Sequence, residues 1–198
     1  MLAAPSSTRS PFTRRVLLKY TALGTAGIAL GVGGTALLTR WGHEGGRPYL
    51  TFGADEAADL IAICERIVPR DDTPGATDLG VIHYIDRNLQ GALSPHRSTY
   101  HRGLAQLQRW CVQEYGMAFA QLSPTEQDAL LSQLEHREAD PEIWRDPAAD
   151  TFFALVISHT MQGFYGSPRH GGNRAYGSYR ILGLDYPQII GQNRYPEG

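Results

Sequence analysis

Apolar residues recur about every 3.6 positions from residue 54 onward, a spacing that predicts amphipathic helices. The first such stripe stops at Pro69, because proline cannot continue the helical hydrogen-bond pattern. A turn predicted at residues 71–76 separates it from a second stripe, which Gly91 closes. The inward positions of these two helices are Ala57, Leu60, Ile61, Cys64, Ile67 and Val68, followed by Val81, Ile82, Ile85 and Leu89.

Three further helices are indicated by their start signals. Ser94-Pro95 offers an N-cap and a first-turn proline, and Ser123-Pro124-Thr125-Glu126 is a complete capping box. Asp146-Pro147 repeats the start signal before a segment that is apolar almost all round, so we expect this fifth helix to be the central one. The inward residues of the three helices are Tyr100, Leu104, Leu107, Cys111 and Tyr115, then Leu130, Leu131 and Leu134, then Phe152, Phe153, Val156, Ile157 and Phe164.

The pattern changes after Tyr165, because residues 166–198 contain seven Gly, three Pro and four Tyr with little periodicity. The predicted fold class is therefore all-α, with about five helices in one domain and a Gly/Tyr/Arg-rich C-terminal loop segment. A signal or anchor helix is expected ahead of that domain. We place the N-terminal segment at residues 1–40 and the domain at residues 41–198.

The C-terminal segment is either a loop packed on its own domain or a surface held for a partner. Its composition favours the second, because glycine and asparagine allow close approach of a backbone, and arginine and tyrosine are enriched at interface hot spots. The predicted surface runs from residue 166 to residue 186. Its centre consists of Gly171, Gly172, Asn173, Arg174, Tyr176 and Tyr179.

The first forty residues have the features of an export signal. Thr13-Arg14-Arg15-Val16-Leu17-Leu18-Lys19 is a near match to the twin-arginine signal, with Arg14, Arg15 and Lys19 in register. Residues 20–39 carry no charge and are only mildly apolar, and Arg40 follows them. The alternative is an ordinary transmembrane helix, since about 20 residues span a bilayer. The sequence leaves open whether the segment is cleaved off or retained as an anchor. The small-x-small cleavage site nearest its end is Gly34-Thr35-Ala36.

Charge is distributed unevenly, although the formal net charge is only −2. Residues 1–40 carry four Arg, one Lys and no acid, which leaves 13 basic and 20 acidic residues, a net charge of −7, in residues 41–198. A domain this acidic repels nucleic acid and anionic lipid head groups on average. We therefore expect no nucleic-acid partner.

The spacing of cysteine and histidine predicts no cofactor in this chain. Cys64 and Cys111 are the only cysteines and no C-x-x-C occurs, so an iron–sulfur cluster, a zinc site and covalent haem lack ligands. His96 and His101 are five positions apart, and no H-x-x-x-H is present. Both cysteines are predicted to face inward, where they form either a disulfide or two buried free thiols.

Two classes of function remain, a non-catalytic accessory protein and an independent periplasmic enzyme. The enzyme, which we call the rival hypothesis, requires a pocket formed by His159, Asp71, Asp72 and Arg174. A lone histidine in an apolar helix is more often a core residue than a base, and adjacent aspartates before Pro-Gly more often shape a turn. No G-x-S-x-G elbow or P-loop is present. These residues favour a chain that catalyses nothing itself. A third hypothesis is a membrane-anchored structural protein without a redox partner.

Three stretches together resemble the gluconate 2-dehydrogenase subunit 3 family, small subunits found with membrane-bound FAD-dependent sugar and polyol dehydrogenases. They are the Arg14-Arg15 signal, the segment Ile67-Val68-Pro69-Arg70-Asp71-Asp72-Thr73-Pro74-Gly75-Ala76, and the tail from Gly163-Phe164-Tyr165-Gly166 through Gly171-Gly172-Asn173-Arg174. The most specific part is the combination of Asp-Thr-Pro-Gly-Ala with Gly-Gly-Asn-Arg. Tyr179 departs from the family pattern, which has Trp there.

The resemblance implies a complex of three parts: a large flavoprotein of the glucose-methanol-choline oxidoreductase type, a multihaem cytochrome c, and this small subunit. FAD would lie in the first partner and haem c in the second, with no cofactor in this chain. The small subunit would bind the folded flavoprotein in the cytoplasm and stabilise it. It would then carry the flavoprotein through the twin-arginine translocase to the periplasmic face of the bacterial inner membrane.

Overall fold

The computed structural model describes residues 49–184, and within that range it contains six α-helices and no strand. The predicted signal, with Arg14, Arg15 and Lys19, lies outside the described residues. Four 3₁₀ turns occur at Ser94–His96, Phe119–Gln121, Pro168–His170 and Arg174–Tyr176. The helices are α1 (Ala54–Ile67), α2 (Val81–Asn88), α3 (Arg97–Tyr115), α4 (Pro124–His136), α5 (Ala149–Tyr165) and α6 (Gly177–Ile181).

The predicted start of α4 is confirmed by its capping geometry. Ser123 Oγ accepts from the amide of Glu126 at 3.4 Å, and the Glu126 carboxylate accepts from the amide of Ser123 at 2.8 Å. This reciprocal pair satisfies two amides that the first turn of a helix would otherwise leave without an acceptor. The apolar face that follows is buried, as the spacing of Leu130, Leu131 and Leu134 predicts.

Two of the predicted starts are displaced by two residues. Ser94-Pro95 begins a 3₁₀ turn, and α3 itself begins at Arg97. The start predicted at Asp146-Pro147 is displaced in the same way, because α5 begins at Ala149 after Ala148, which has no capping side chain. Burial of the first-turn residues against the core, rather than a side-chain cap, stabilises that end of α5.

The α5 helix is central, as its apolar composition predicts, and it packs against α1, α2, α3, α4 and α6. Phe152 is fully buried near its start, with its ring 6.3 Å from Tyr100 and 5.7 Å from Trp144. Truncation of a phenylalanine at such a position typically costs about 3–5 kcal/mol. The domain is therefore organised around α5.

Helices α1 and α4 are joined at their edge by Arg66 and Asp128. The guanidinium Nε and Nη2 donate to the two carboxylate oxygens at 2.6 and 2.7 Å. The pair is partly open to solvent, so it fixes the orientation of the helices more than it adds to their stability. None of the helices within residues 49–184 is both long and apolar enough to cross a bilayer.

Candidate functional site

His159 lies on α5 in the interior of the domain. Its Nδ1 is 3.0 Å from the hydroxyl of Tyr100, and the His96 ring meets it edge to face at 5.4 Å. Burial, reinforced by His96, lowers the pKa of His159 to about 4, and burial raises the pKa of Tyr100 well above its usual value. Tyr100 therefore keeps its proton, and its hydroxyl forms a buried hydrogen bond with Nδ1 of the neutral His159 ring.

The segment between α1 and α2 is a turn held by the Glu65 carboxylate. One carboxylate oxygen accepts from the amide of Arg70 and the other from the amide of Thr77, both at 2.9 Å. Gly75 is buried under this arrangement, and a Cβ there would lie 2.6 Å from the nitrogen of Arg70. The glycine of the Asp-Thr-Pro-Gly-Ala motif is thus required by packing.

The two aspartates of this segment belong to the same exposed turn. Asp71 Oδ1 accepts from both the amide and the hydroxyl of Thr73 at 2.8 Å, as expected of a turn-forming aspartate. Asp72 is exposed beside it. These contacts agree with the interpretation of Asp71 and Asp72 as turn residues rather than as an acid–base pair.

The residues of the rival enzyme hypothesis occupy different settings. His159 is buried against Tyr100, whereas Asp71 and Asp72 lie in an exposed turn, and Arg174 is exposed near His83. Among residues 49–184, no three His, Cys, Asp or Glu side chains are grouped so that they could hold a metal ion.

The glycine-rich centre of the tail closes the domain's own core. Gly172 is buried, and a Cβ there would overlap the carbonyl group of Gly163 on α5. Asn173 is completely buried, donates to the carbonyl oxygen of Gly166 at 2.8 Å and accepts from the amide of Ser178 at 2.9 Å. The prediction that Gly172 and Asn173 form a partner surface is therefore wrong. Both sites are filled by contacts within the domain.

The outer side of the same tail differs from its buried centre. Arg174 is exposed, while Gly171, Tyr176 and Tyr179 are half-buried. The tyrosine rings lie 5.9 Å apart, and the guanidinium of Arg174 contributes to lowering the pKa of His83, after burial. Arg174, Tyr176 and Tyr179, which we call the outer tail surface, are thus presented by a buried scaffold.

The backbone beneath the outer tail surface is strained. Asn173, Ala175 and Tyr176 have φ values of 44°, 52° and 56°, a left-handed conformation that asparagine tolerates but that is unfavourable for alanine and tyrosine. Ala175 and Tyr176 each cost of order 1 kcal/mol or more in this conformation, and strain of this kind is retained mainly at functional positions. The conformation sets the direction in which the side chains of the outer tail surface emerge.

Cys64 and Cys111 are both buried, as predicted, and both are free thiols. The sulfur of Cys64 lies 3.2 Å from the hydroxyl oxygen of Thr160 on α5, and burial raises the pKa of each thiol to about 12. Of the two alternatives that the sequence leaves open, the structure therefore has the pair of buried thiols and not the disulfide.

Asp86 is a residue that sequence reasoning missed. Its carboxylate is almost completely buried and accepts from the amides of Leu50, Thr51 and Phe52 at 2.7, 2.8 and 3.3 Å. Its backbone oxygen also accepts from the Thr51 hydroxyl at 2.9 Å. The signal was available in the sequence, because Asp86 follows Ile82 by four positions and so falls on the apolar stripe of α2. Asp86 fixes the segment that enters the domain from the N-terminal side.

The family comparison covers this helical domain. A family model described as Gluconate 2-dehydrogenase subunit 3 matches residues 54–185, from the first residue of α1 to just beyond the last described residue. The match includes both the Glu65-held turn and the buried Gly172-Asn173 scaffold. The chain belongs to the gluconate 2-dehydrogenase subunit 3 family. No curated protein and no solved structure matches the chain.

Proposed function

We propose that this chain is the non-catalytic small subunit of a periplasmic, membrane-associated FAD-dependent dehydrogenase of the gluconate, sugar or polyol type. It binds the flavoprotein subunit in the cytoplasm, stabilises it and directs its export through the signal at Arg14 and Arg15. FAD belongs to the flavoprotein and haem c to a cytochrome subunit. Substrate is oxidised in the flavoprotein.

The observation that carries this proposal is the extent of the family match, which spans the helical domain while leaving the predicted signal outside it. The described structure also supports a non-catalytic role. His159 is neutral near pH 7, buried and bonded to Tyr100, so it is poorly placed to exchange protons with a substrate. Of the two aspartates in the rival hypothesis, Asp71 bonds within the turn after α1 and Asp72 is exposed beside it.

Co-purification tests the complex. An affinity-tagged copy is recovered from the native host, and its absorbance is scanned for flavin and haem. We expect both spectra, together with a large flavoprotein band. The subunit purified alone is expected to be colourless and inactive. Turnover or a bound metal in the isolated subunit would favour the independent enzyme instead.

The outer tail surface is the proposed contact with the flavoprotein. Arginine and tyrosine are the residue types most enriched among interface hot spots, and Arg174 provides a cation on a domain with a net charge of −7. A carboxylate-bearing surface on the flavoprotein would match it. Gly171, Gly172 and Asn173 act as the scaffold that holds Arg174, Tyr176 and Tyr179 in place.

A pair of variants separates contact from scaffold. Arg174→Ala is expected to weaken association with the flavoprotein by about 2 kcal/mol, roughly thirty-fold, and to lower the melting temperature of the free subunit less than Asn173→Ala does. Asn173→Ala is expected to destabilise the subunit itself by about 1–3 kcal/mol, because Ser178 and Gly166 lose their buried hydrogen bonds. Arg109→Ala on α3 is the exposed control. Normal binding by a destabilised Arg174→Ala variant would refute the proposed contact.

A further inference from the structure

The chain enters the described domain along helix α2. The Tyr49 ring stacks on the ring of His83, with the centroids 5.8 Å apart. Gln90 donates to the carbonyl oxygen of Leu50 at 3.3 Å and to the hydroxyl of Thr51 at 2.7 Å. One flank of α2 is therefore lined by the first described residues of the chain.

The tail lines the other flank of α2. The side-chain nitrogen of Asn88 donates to the carbonyl oxygen of His170 at 3.0 Å, and a Cβ on Gly171 would lie 3.1 Å from the carbonyl oxygen of His83. Arg169, the residue before His170, is exposed. The exposed side of α2 is thus bordered by the entering chain on one flank and by the tail on the other.

Three arginines and one leucine are exposed or partly exposed along this strip. Arg87 lies on α2 itself, and Arg97 donates to the side-chain oxygen of Gln90 just after the end of α2, at 3.1 Å. Arg169 lies on the flank formed by the tail. Leu50 is 68% exposed on the opposite flank. We call this set the entry face, which consists of Leu50, Arg87, Arg97 and Arg169.

The charge near the entry face is opposite to that of the domain as a whole. Residues 79–113 and 151–184 contain seven Arg and a single acidic residue, Asp86, whose carboxylate is buried against backbone amides. Residues 49–78 and 114–150 contain sixteen acidic residues and four Arg. Exposed charges more than about 8 Å apart are largely screened at physiological salt. The entry face therefore attracts anions, although the domain on average repels them.

The length of the preceding chain indicates which anion is nearest. Eight residues, 41–48, separate the predicted signal or anchor segment from Tyr49, and a fully extended chain of that length reaches about 29 Å. If the segment is retained in a membrane, this short connection raises the concentration of lipid head groups that the domain experiences. Contacts that are weak for a free protein are sufficient under these conditions.

We propose that the entry face binds the anionic lipid head groups of the membrane that holds residues 1–40. Arg87, Arg97 and Arg169 lie against lipid phosphates, and Leu50 enters the head-group layer beside them. An arginine near an anionic membrane surface raises affinity roughly five-fold, so the three together act as a weak contact that the connection makes effective. The proposal deepens the membrane association proposed above, and it rests on retention of the N-terminal segment.

The entry face and the outer tail surface are separate. The guanidinium of Arg174 lies 3.3 Å from the position that a Cβ on Gly80 would occupy, at the start of α2. Arg97 instead donates to the carbonyl oxygen of Leu89 at 2.8 Å, at the end of α2. Lipid and flavoprotein are therefore assigned to different parts of the domain.

The first test compares two sides of the domain in the full chain. Both native thiols are buried, so Leu50→Cys and Val112→Cys each add one accessible thiol, at positions that are 68% and 53% exposed. Each is labelled with nitrobenzoxadiazole, and the chain is reconstituted into vesicles of phosphatidylcholine, with or without phosphatidylglycerol. We expect the emission at position 50 to shift to shorter wavelength only with phosphatidylglycerol, and the emission at position 112 to stay unchanged. Equal responses at both positions, or no response at position 50, would overturn the proposal.

The second test removes charge from the entry face. Arg87→Gln/Arg169→Gln is made in the labelled Leu50→Cys chain, and Arg102→Gln/Arg109→Gln on α3 is the control with the same loss of charge. We expect the equilibrium between lipid-bound and free label to move about 25-fold towards the free state in the first variant, with little change in the control. Added salt should have the same effect on the parent chain. Equal equilibria in the two variants would contradict the assigned contacts, provided that circular dichroism shows intact helices in both.

A third measurement separates a lipid from a protein occupant. The flavoprotein is added to the chain labelled at position 50 in the absence of vesicles. No change in emission is expected, and a shift there would assign the entry face to the flavoprotein instead of the membrane. The vesicle experiments contain neither flavoprotein nor exporter. Their failure would therefore leave the proposed complex intact, and failure of co-purification would leave the vesicle result intact.

Discussion

Gly172 lies directly against the backbone of Gly163, so that a side chain at position 172 would occupy the space of the Gly163 carbonyl group. This contact joins the tail to the central helix α5. It explains why a glycine stands at this point of the Gly-Gly-Asn-Arg motif without any reference to a partner. Stability and the proposed binding of a partner can therefore be separated by mutation within one short motif.

Gly172→Ala is expected to destabilise the isolated subunit by about 1–3 kcal/mol, because the added methyl group must push the tail away from α5. Gly91→Ala is the matched control. A Cβ at position 91 would meet only the carbonyl oxygen of Asn88 at 3.9 Å, an ordinary contact. Urea unfolding of both variants measures the difference. Equal stabilities would show that the tail does not depend on the Gly163 contact.

Asp86→Asn is expected to release residues 50–52 from the domain, because an amide cannot replace a carboxylate that accepts from three backbone amides. Loss of hydrogen bonds to a charged group corresponds to roughly ten-fold or greater local opening. The measurement is the rate at which chymotrypsin cleaves the full chain after Phe52, followed by mass spectrometry.

Asp72→Asn removes the same charge from an exposed turn and serves as the control for the Asp86 variant. Circular dichroism should show that both variants keep their helices. The interpretation that Asp86 holds residues 50–52 on the domain would fail if cleavage after Phe52 were no faster in Asp86→Asn than in Asp72→Asn.

His159 should make the domain less stable in mild acid. The pKa of His159 is 6.5 in an ordinary environment and about 4 in the folded domain. Between these values His159 is protonated in the unfolded chain and neutral in the folded chain. Stability from this group is complete above the unfolded pKa and is lost as pH falls from 6.5 towards 4. We expect a loss of about 2 kcal/mol between about pH 7 and about pH 5.

Asp59 acts in the opposite sense, because burial raises the pKa of its carboxyl and the folded state then favours the protonated form. The informative quantity is therefore the change in pH dependence between wild type and His159→Asn. Asparagine keeps an acceptor near the Tyr100 hydroxyl but has no charge to gain. Urea unfolding at the two pH values should give a shallower pH dependence for the variant, and identical slopes would exclude His159 as the source.

Helices with a regular apolar period were predictable from the sequence, because one face of each is buried along its length. The capping box at Ser123 even gave the first residue of α4, since the cap is a local interaction between side chain and backbone. The start of α5 was not predictable in this way. It depends on the burial of Phe152 and Phe153 against other helices, which no local signal encodes.

The tail shows the limit of composition as evidence. Glycine, asparagine, arginine and tyrosine occur both in interfaces and in loops that close a core. The composition of residues 171–174 was therefore compatible with a partner surface and with a loop packed on its own domain. In the structure, Gly172 and Asn173 are buried in the domain, while Arg174 is exposed. The short helix α6 was also missed, because five residues carry too little periodicity to reveal a helix. Asp86 was missed because its partners are backbone amides of residues 50–52, which lie more than 30 positions away along the chain and outside any periodic segment.

We propose above that this subunit carries a flavoprotein across the membrane, and replacing the paired arginines tests that proposal most directly. Arg14 and Arg15 are both changed to Lys, which keeps the charge but removes the guanidinium groups that the pathway reads. Arg9→Lys is the control in the same segment. Cells are fractionated, and both this subunit and flavin-containing dehydrogenase are measured in the cytoplasm and periplasm. We expect the double variant to leave both proteins in the cytoplasm, and a flavoprotein that still reaches the periplasm would contradict the account.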